Sequence, residues 1–131
     1  MLRLFSHLNK KSEGQALVEF ALVLLPLMLI ILGIAEFGWL FNGHITLTSS
    51  AREGARVAAV GGTDLQVETA VLNHVGGSAV SVNSGDVKVL PGSDDVTVQV
   101  DGSIEPLVGF FVGNTVNLNV QAIMRLEFKD D

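Results

Sequence analysis

Gly14-Gln15-Ala16-Leu17-Val18-Glu19-Phe20 opens an apolar run that reaches Ala35, and one acid inside that run decides how the chain is read. A carboxylate at the centre of a bilayer costs on the order of 3 kcal/mol, and less near the edge, unless something neutralises it. Glu19 is therefore a functional candidate. At roughly 1.5 Å per residue, Leu17 to Ala35 is long enough to cross about 30 Å of hydrocarbon. Upstream lie Arg3, Lys10 and Lys11; downstream no basic residue follows until Arg52. This asymmetry places the N-terminus in the cytoplasm and everything from Trp39 onward outside, with Trp39 and Phe41 where interfacial aromatic anchors sit.

The rest of the composition narrows the function classes. A length of 131 residues fits one domain plus a membrane segment. The formal charge of −6 argues against electrostatic binding of nucleic acid. No cysteine is present, so disulfides, zinc-thiolate sites and thiol nucleophiles are excluded.

Three readings of the apolar run compete. In one it is a signal-anchor that tethers an external domain. In another it is a secretory signal removed at Gly33-Ile34-Ala35, where small residues stand at the two expected positions. The third, which the residues favour, is a prepilin-type segment cut on the cytoplasmic side after Gly14. The new α-amino group of Gln15 then lies four residues before Glu19 on the same helix face. An amine and a carboxylate can neutralise each other within a subunit or between neighbours. Because an unpaired acid in lipid is costly, the same residue rewards assembly.

Pro26 removes a backbone donor, which predicts a kink or local unwinding across Leu22–Pro26. Gly33 and Gly38 offer small packing surfaces without GxxxG spacing. Glu36 is expected at the outer interface, first as a solvated boundary residue and second as a docking contact. Ile45 to Val60 reads as continuing helix, with Asn42-Gly43 as a point where it can break. Ser50, Gly54 and Ala58, flanked by Ala51, Ala55 and Ala59, form a small-residue stripe that lets another backbone come close. Glu53 and Arg56 are spaced to pair across one turn. Gly61-Gly62 ends this helix.

Thr63 or Asp64 then caps a second helix whose buried side is Leu65, Val67, Val71, Leu72 and Val75, stopped by Gly76-Gly77. Beyond it the period changes to two. Val87 and Val89, then Val96, Val98 and Val100, flank the turn signal Pro91-Gly92-Ser93-Asp94 and predict a hairpin. In the closing strand Val116, Leu118, Val120, Ala122, Met124, Leu126 and Phe128 face one way, and Asn117, Asn119, Gln121, Arg125 and Glu127 the other. Ile123 breaks the alternation. One face covers a core and the other meets water. Between strands, Glu105–Gly113 is expected to be a short turn or helix whose Leu107, Val108, Phe110 and Phe111 plug one end of the core.

The blocks Gly14–Pro26, Gly33-Ile34-Ala35-Glu36-Phe37-Gly38 and Ala51-Arg52-Glu53-Gly54-Ala55-Arg56 together resemble the TadE-like pseudopilins, as does the closing Ala122-Ile123-Met124-Arg125-Leu126-Glu127. The likeness is dense over residues 13–62 and loose through the sheet region. It implies a minor pilin-like component of the tight-adherence (Flp/Tad) pilus machine, related to type IV pili and type II secretion. It further implies an inner-membrane protein whose leader is cut by a prepilin peptidase after Gly14. Its partners would be other pilin or pseudopilin subunits, the inner-membrane assembly platform and the lipid bilayer. The family's acid at the fifth mature position maps onto Glu19. Gln15 departs from the phenylalanine that starts ordinary type IV pilins.

Catalytic chemistry is not expected. His7, His44 and His74 lack ligand spacing, the serines lack a nucleophile elbow, and the glycines do not form a phosphate loop. Asp94-Asp95 and Asp130-Asp131 read as solvated turn and tail. The expected architecture is α+β: a long N-terminal transmembrane helix, then one or two helices packed on a small antiparallel sheet. The expected segments are 1–14 as cytoplasmic leader, 15–41 as pilin-like membrane helix and 42–131 as extracytoplasmic domain. The candidate residues are Gly14 and Gln15 for processing, Glu19 for charge neutralisation and Pro26 for a kink. Glu36, Arg52, Glu53, Gly54 and Arg56 are candidates for an interface. No cofactor, metal, nucleic acid or small-molecule substrate is expected. The alternative function is an unprocessed, membrane-tethered binding module.

Overall fold

A computed structural model describes the backbone of residues 2–127 and the side chains of residues 13–127; Phe128, Asp130 and Asp131 lie outside the described residues. The element order is α1 (Leu2–Ala59), α2 (Asp64–Val75), β1 (Val80–Ser81), β2 (Val87–Pro91), β3 (Asp95–Ile104) and β4 (Val116–Arg125), an α+β arrangement. The chain divides into two compact units, Met1–Ala35 and Glu36–Asp131.

In the first unit every side chain from Glu13 to Leu32 is exposed. The helix is long and apolar enough to cross a membrane. The unwinding expected at Leu22–Pro26 is absent, since the chain stays helical through Pro26. One missing donor leaves the surrounding ladder of hydrogen bonds in place.

The second unit begins within α1. The break expected at Asn42-Gly43 does not occur, and the helix runs on to Ala59. A reason lies in the packing: Gly43 is buried against Ile104 and Val80, so this glycine serves a close approach rather than a turn. The buried positions Leu47, Ala51, Ala55, Ala58 and Ala59 recur at helical spacing and pack with Val67, Val71 and Val75 of α2 and Val96, Val98 and Val100 of β3. At Ala59 the helix stops in a Schellman motif. Gly61 takes a φ of +83°, and the amides of Gly61 and Gly62 bond to the carbonyls of Ala58 and Val57.

Thr63 caps α2 with a full capping box. Its hydroxyl accepts from the Gln66 amide, and the Gln66 side chain accepts from the Thr63 amide. Leu65, expected in the core, is 71% exposed, whereas Val67, Val71 and Val75 are buried. Leu65 falls in the first turn, off the stripe set by the four-residue spacing of those valines.

The sheet is antiparallel and centred on β3. Along one edge β2 pairs with Val96–Val100, and the two-residue β1 pairs with Ser103 and Ile104. Along the other edge β4 pairs with all of β3, from Asp95 opposite Arg125 to Ile104 opposite Val116. The expected hairpin across Pro91–Asp94 is present; β1 has no period long enough to be read from sequence. β4 alternates as expected, with Ile123 62% exposed. Just past it, the Glu127 amide donates to the Ala59 carbonyl, tying the closing strand to the end of α1.

Candidate functional site

Two sets of residues carry the functional reading, one in each unit. In the first, Gly14 lies inside α1 with nothing within 4 Å of where a Cβ would sit. One residue on, Gln15 Nε2 donates to Glu19 Oε1 at 3.0 Å. The helical spacing of four brings these two side chains together. Glu19 is thus held by the residue that follows Gly14.

The second set lies where α1 leaves its apolar run. Glu36 was expected to be solvated, and that expectation is overturned: the residue is fully buried. Its Oε2 accepts a hydrogen bond from the Val108 amide at 2.8 Å. Its Oε1 is buried with no hydrogen-bond partner among the described residues. One turn further, the Trp39 indole N–H donates to the Glu105 carbonyl at 3.0 Å. The two bonds strap the β3–β4 connection to the helix, and this is what removes Glu36 from water. Sequence spacing gives no hint of it, because the partners are 72 and 66 residues apart.

The strapped connection is not the expected plug. Residues 105–115 form neither helix nor strand. Leu107 (52%), Val108 (46%), Phe110 (66%) and Phe111 (46%) are all exposed. Gly109, at φ +71°, turns the chain between Val108 and Phe110. The rings of Phe110 and Phe111 meet edge to face, 5.3 Å between centroids. Ile104, the last residue of β3, is by contrast 1% exposed and packs against Gly43.

Of the other candidate interface residues, Gly54 faces inward. A Cβ there would meet Val71 Cγ2 at 2.7 Å and both Val67 and Val98 at 3.3 Å. The backbone that the small-residue stripe lets come close is that of α2 and β3 of the same chain. Arg52 and Arg56 are exposed. Arg56 donates twice to the Glu53 carboxylate, at 3.0 and 2.7 Å. That hydrogen bonding holds the Glu53 carboxyl below its ordinary range; partial burial opposes the effect, and the charges of Arg56 and His74 add to it.

His44 and His74 are exposed, and the side chain of His7 lies outside the described residues. A cleft beside Ser81 of β1 has Asp86, Asp101, Asn117 and Asn119 among its lining residues. Its acids are engaged locally: Asp86 accepts from the Asn83 amide, and Asp101 from the Asn119 side chain.

In comparison with known proteins, residues 14–56 match the model of the family described as TadE-like protein. No curated protein and no solved structure matches the chain. The matched segment runs from the Gly14–Gln15 bond to Arg56 and so includes Glu19, Glu36 and the small-residue stripe. It coincides with most of the helix that is long and apolar enough to cross a membrane.

Proposed function

We propose that this TadE-like chain is a structural pseudopilin, a minor pilin-like subunit in the assembly or function of a Tad/Flp-type pilus. A prepilin peptidase cuts it after Gly14. The observation that carries the reading is Glu19, set on a wholly exposed, membrane-length helix and hydrogen-bonded to Gln15. That surface needs an apolar surrounding, either lipid or the helices of other subunits. Cleavage would give Gln15 a positive α-amino group within one turn of Glu19, converting a neutral amide partner into a charge-bearing one.

Gly14 suits the cut chemically. A glycine inside a helix is about 1 kcal/mol less favourable than alanine, so the helix opens more easily there than at an alanine. It also has no side chain to obstruct a peptidase. The chain sits in the inner membrane with its N-terminus in the cytoplasm and residues 42–131 outside. It acts through contacts with pilin or pseudopilin subunits and the assembly platform, and it catalyses no reaction of its own.

Mass spectrometry of the membrane-extracted protein, from cells with and without the prepilin peptidase, tests this. The expected result is a peptidase-dependent start at Gln15. Glu19→Gln should still be processed yet enter filaments poorly. A chain that keeps its first fourteen residues in both strains overturns the reading and leaves an unprocessed tether.

A further inference from the structure

The strapped connection between β3 and β4 exposes Leu107, Val108, Phe110 and Phe111 in a stretch with no charged residue from Pro106 to Met124. Its course along α1 is fixed by two bonds. Glu105 is held at Trp39, and Val108, three residues later, is held at Glu36. The later loop residue is thus held by the earlier helix residue, so loop and helix run in opposite directions here. Glu36 is the residue immediately after Ala35, where the apolar run ends. Gly109 then turns the chain, and the exposed Phe110–Phe111 pair follows.

We propose that residues 107–111 form a second membrane contact, in which Leu107, Phe110 and Phe111 enter the lipid interface at the level of Glu36. This rests on the reading of Leu17–Ala35 as a membrane span. Continuity with that span identifies the occupant: the run ends one residue before Glu36, whose side chain holds the Val108 amide. Bare loop backbone does not enter the hydrocarbon. The contact is thus a shallow one, made by aromatic and aliphatic side chains at headgroup depth. Glu36 acts as a positioning residue. Its buried carboxylate takes up the Val108 amide, a backbone donor that would otherwise face lipid unpaired.

Absence of native cysteine permits a direct test in the full chain reconstituted in phosphatidylethanolamine/phosphatidylglycerol vesicles. Single cysteines replace Phe110, Leu107, Leu27 in the span, or Ser93 in the β2–β3 turn, each bearing an environment-sensitive fluorophore. Quenchers are nitroxides near the headgroup end of the acyl chain, nitroxides deep in the chain, and aqueous iodide. Labels at Phe110 and Leu107 should lose fluorescence to the shallow nitroxide and be shielded from iodide, while Ser93 shows the reverse. Both replaced side chains are exposed, so the two positions check each other for folding. If they behave like Ser93 while Leu27 is quenched by the deep nitroxide, the span stands and the loop contact is overturned. If Leu27 also stays unquenched, the span itself has failed and the loop proposal falls with it. Shielding of Phe110 from all quenchers, with energy transfer between labelled copies, would show a protein partner over the loop and overturn the lipid contact.

Discussion

Gly54 shows how one residue type controls this fold. Its missing Cβ lets α1 approach Val71 and Val98, so Gly54→Val should force those valines aside. Overpacking of this kind costs about 1–3 kcal/mol, and the thermal midpoint of the detergent-solubilised chain should fall accordingly. Glu53 and Arg56 make a weaker, more exposed contact. A carboxyl held low by Arg56 contributes fully above its unfolded titration range and loses that contribution as pH falls through its lowered folded value. In a carbon-13 titration, Arg56→Gln should move the Glu53 carboxyl upward. The sequence showed both features, since glycine and alanine at helical spacing and acid–base spacing of three are local signals. What it left open at Gly54 was the partner, and α2 and β3 of the same chain took that place.

At the scale of elements, the β3–β4 connection departs furthest from its sequence reading. Four large apolar residues between two strands look like core. Yet Ile104 already fills the space against Gly43, and the connection lies outward on α1. Glu36→Leu removes the acceptor for the Val108 amide, a bond of about 1–3 kcal/mol if its donor is left unpaired. Exchange at the Val108 amide should quicken by about tenfold to a hundredfold by that measure, while exchange in β3 stays slow; Glu36→Gln, which keeps a carbonyl acceptor, should largely preserve protection. Uniform protection in Glu36→Leu would show that Trp39 and Glu105 alone hold the loop. The strands themselves were legible: the two-residue period of β4 and the Pro91–Asp94 turn follow from side-chain alternation and turn chemistry, which are local. The strap was not, because no local period reports a bond made across 72 residues.

For the whole molecule, the two units answer to different solvents. In lipid vesicles, urea should unfold the sheet and α2 while amides of Leu17–Ala35 remain protected, because a spanning backbone has no hydrogen-bond partner other than itself. Hydrogen-exchange mass spectrometry would resolve the two; simultaneous loss would mean that the apolar helix is not held by lipid. The sequence by itself determined the membrane-length helix, its single acid beside Gly14–Gln15, the stop at Gly61-Gly62, a cap at Thr63 or Asp64, and the order of helix before sheet. Each of these depends on residues within a few positions of one another, through hydropathy, periodicity or capping. Tertiary structure alone decided that Glu36 is buried, that Gly43 and Gly54 face inward, and that Phe110 and Phe111 stay outside. Those outcomes depend on which distant surface wins a limited volume, and close packing allows one occupant to each space.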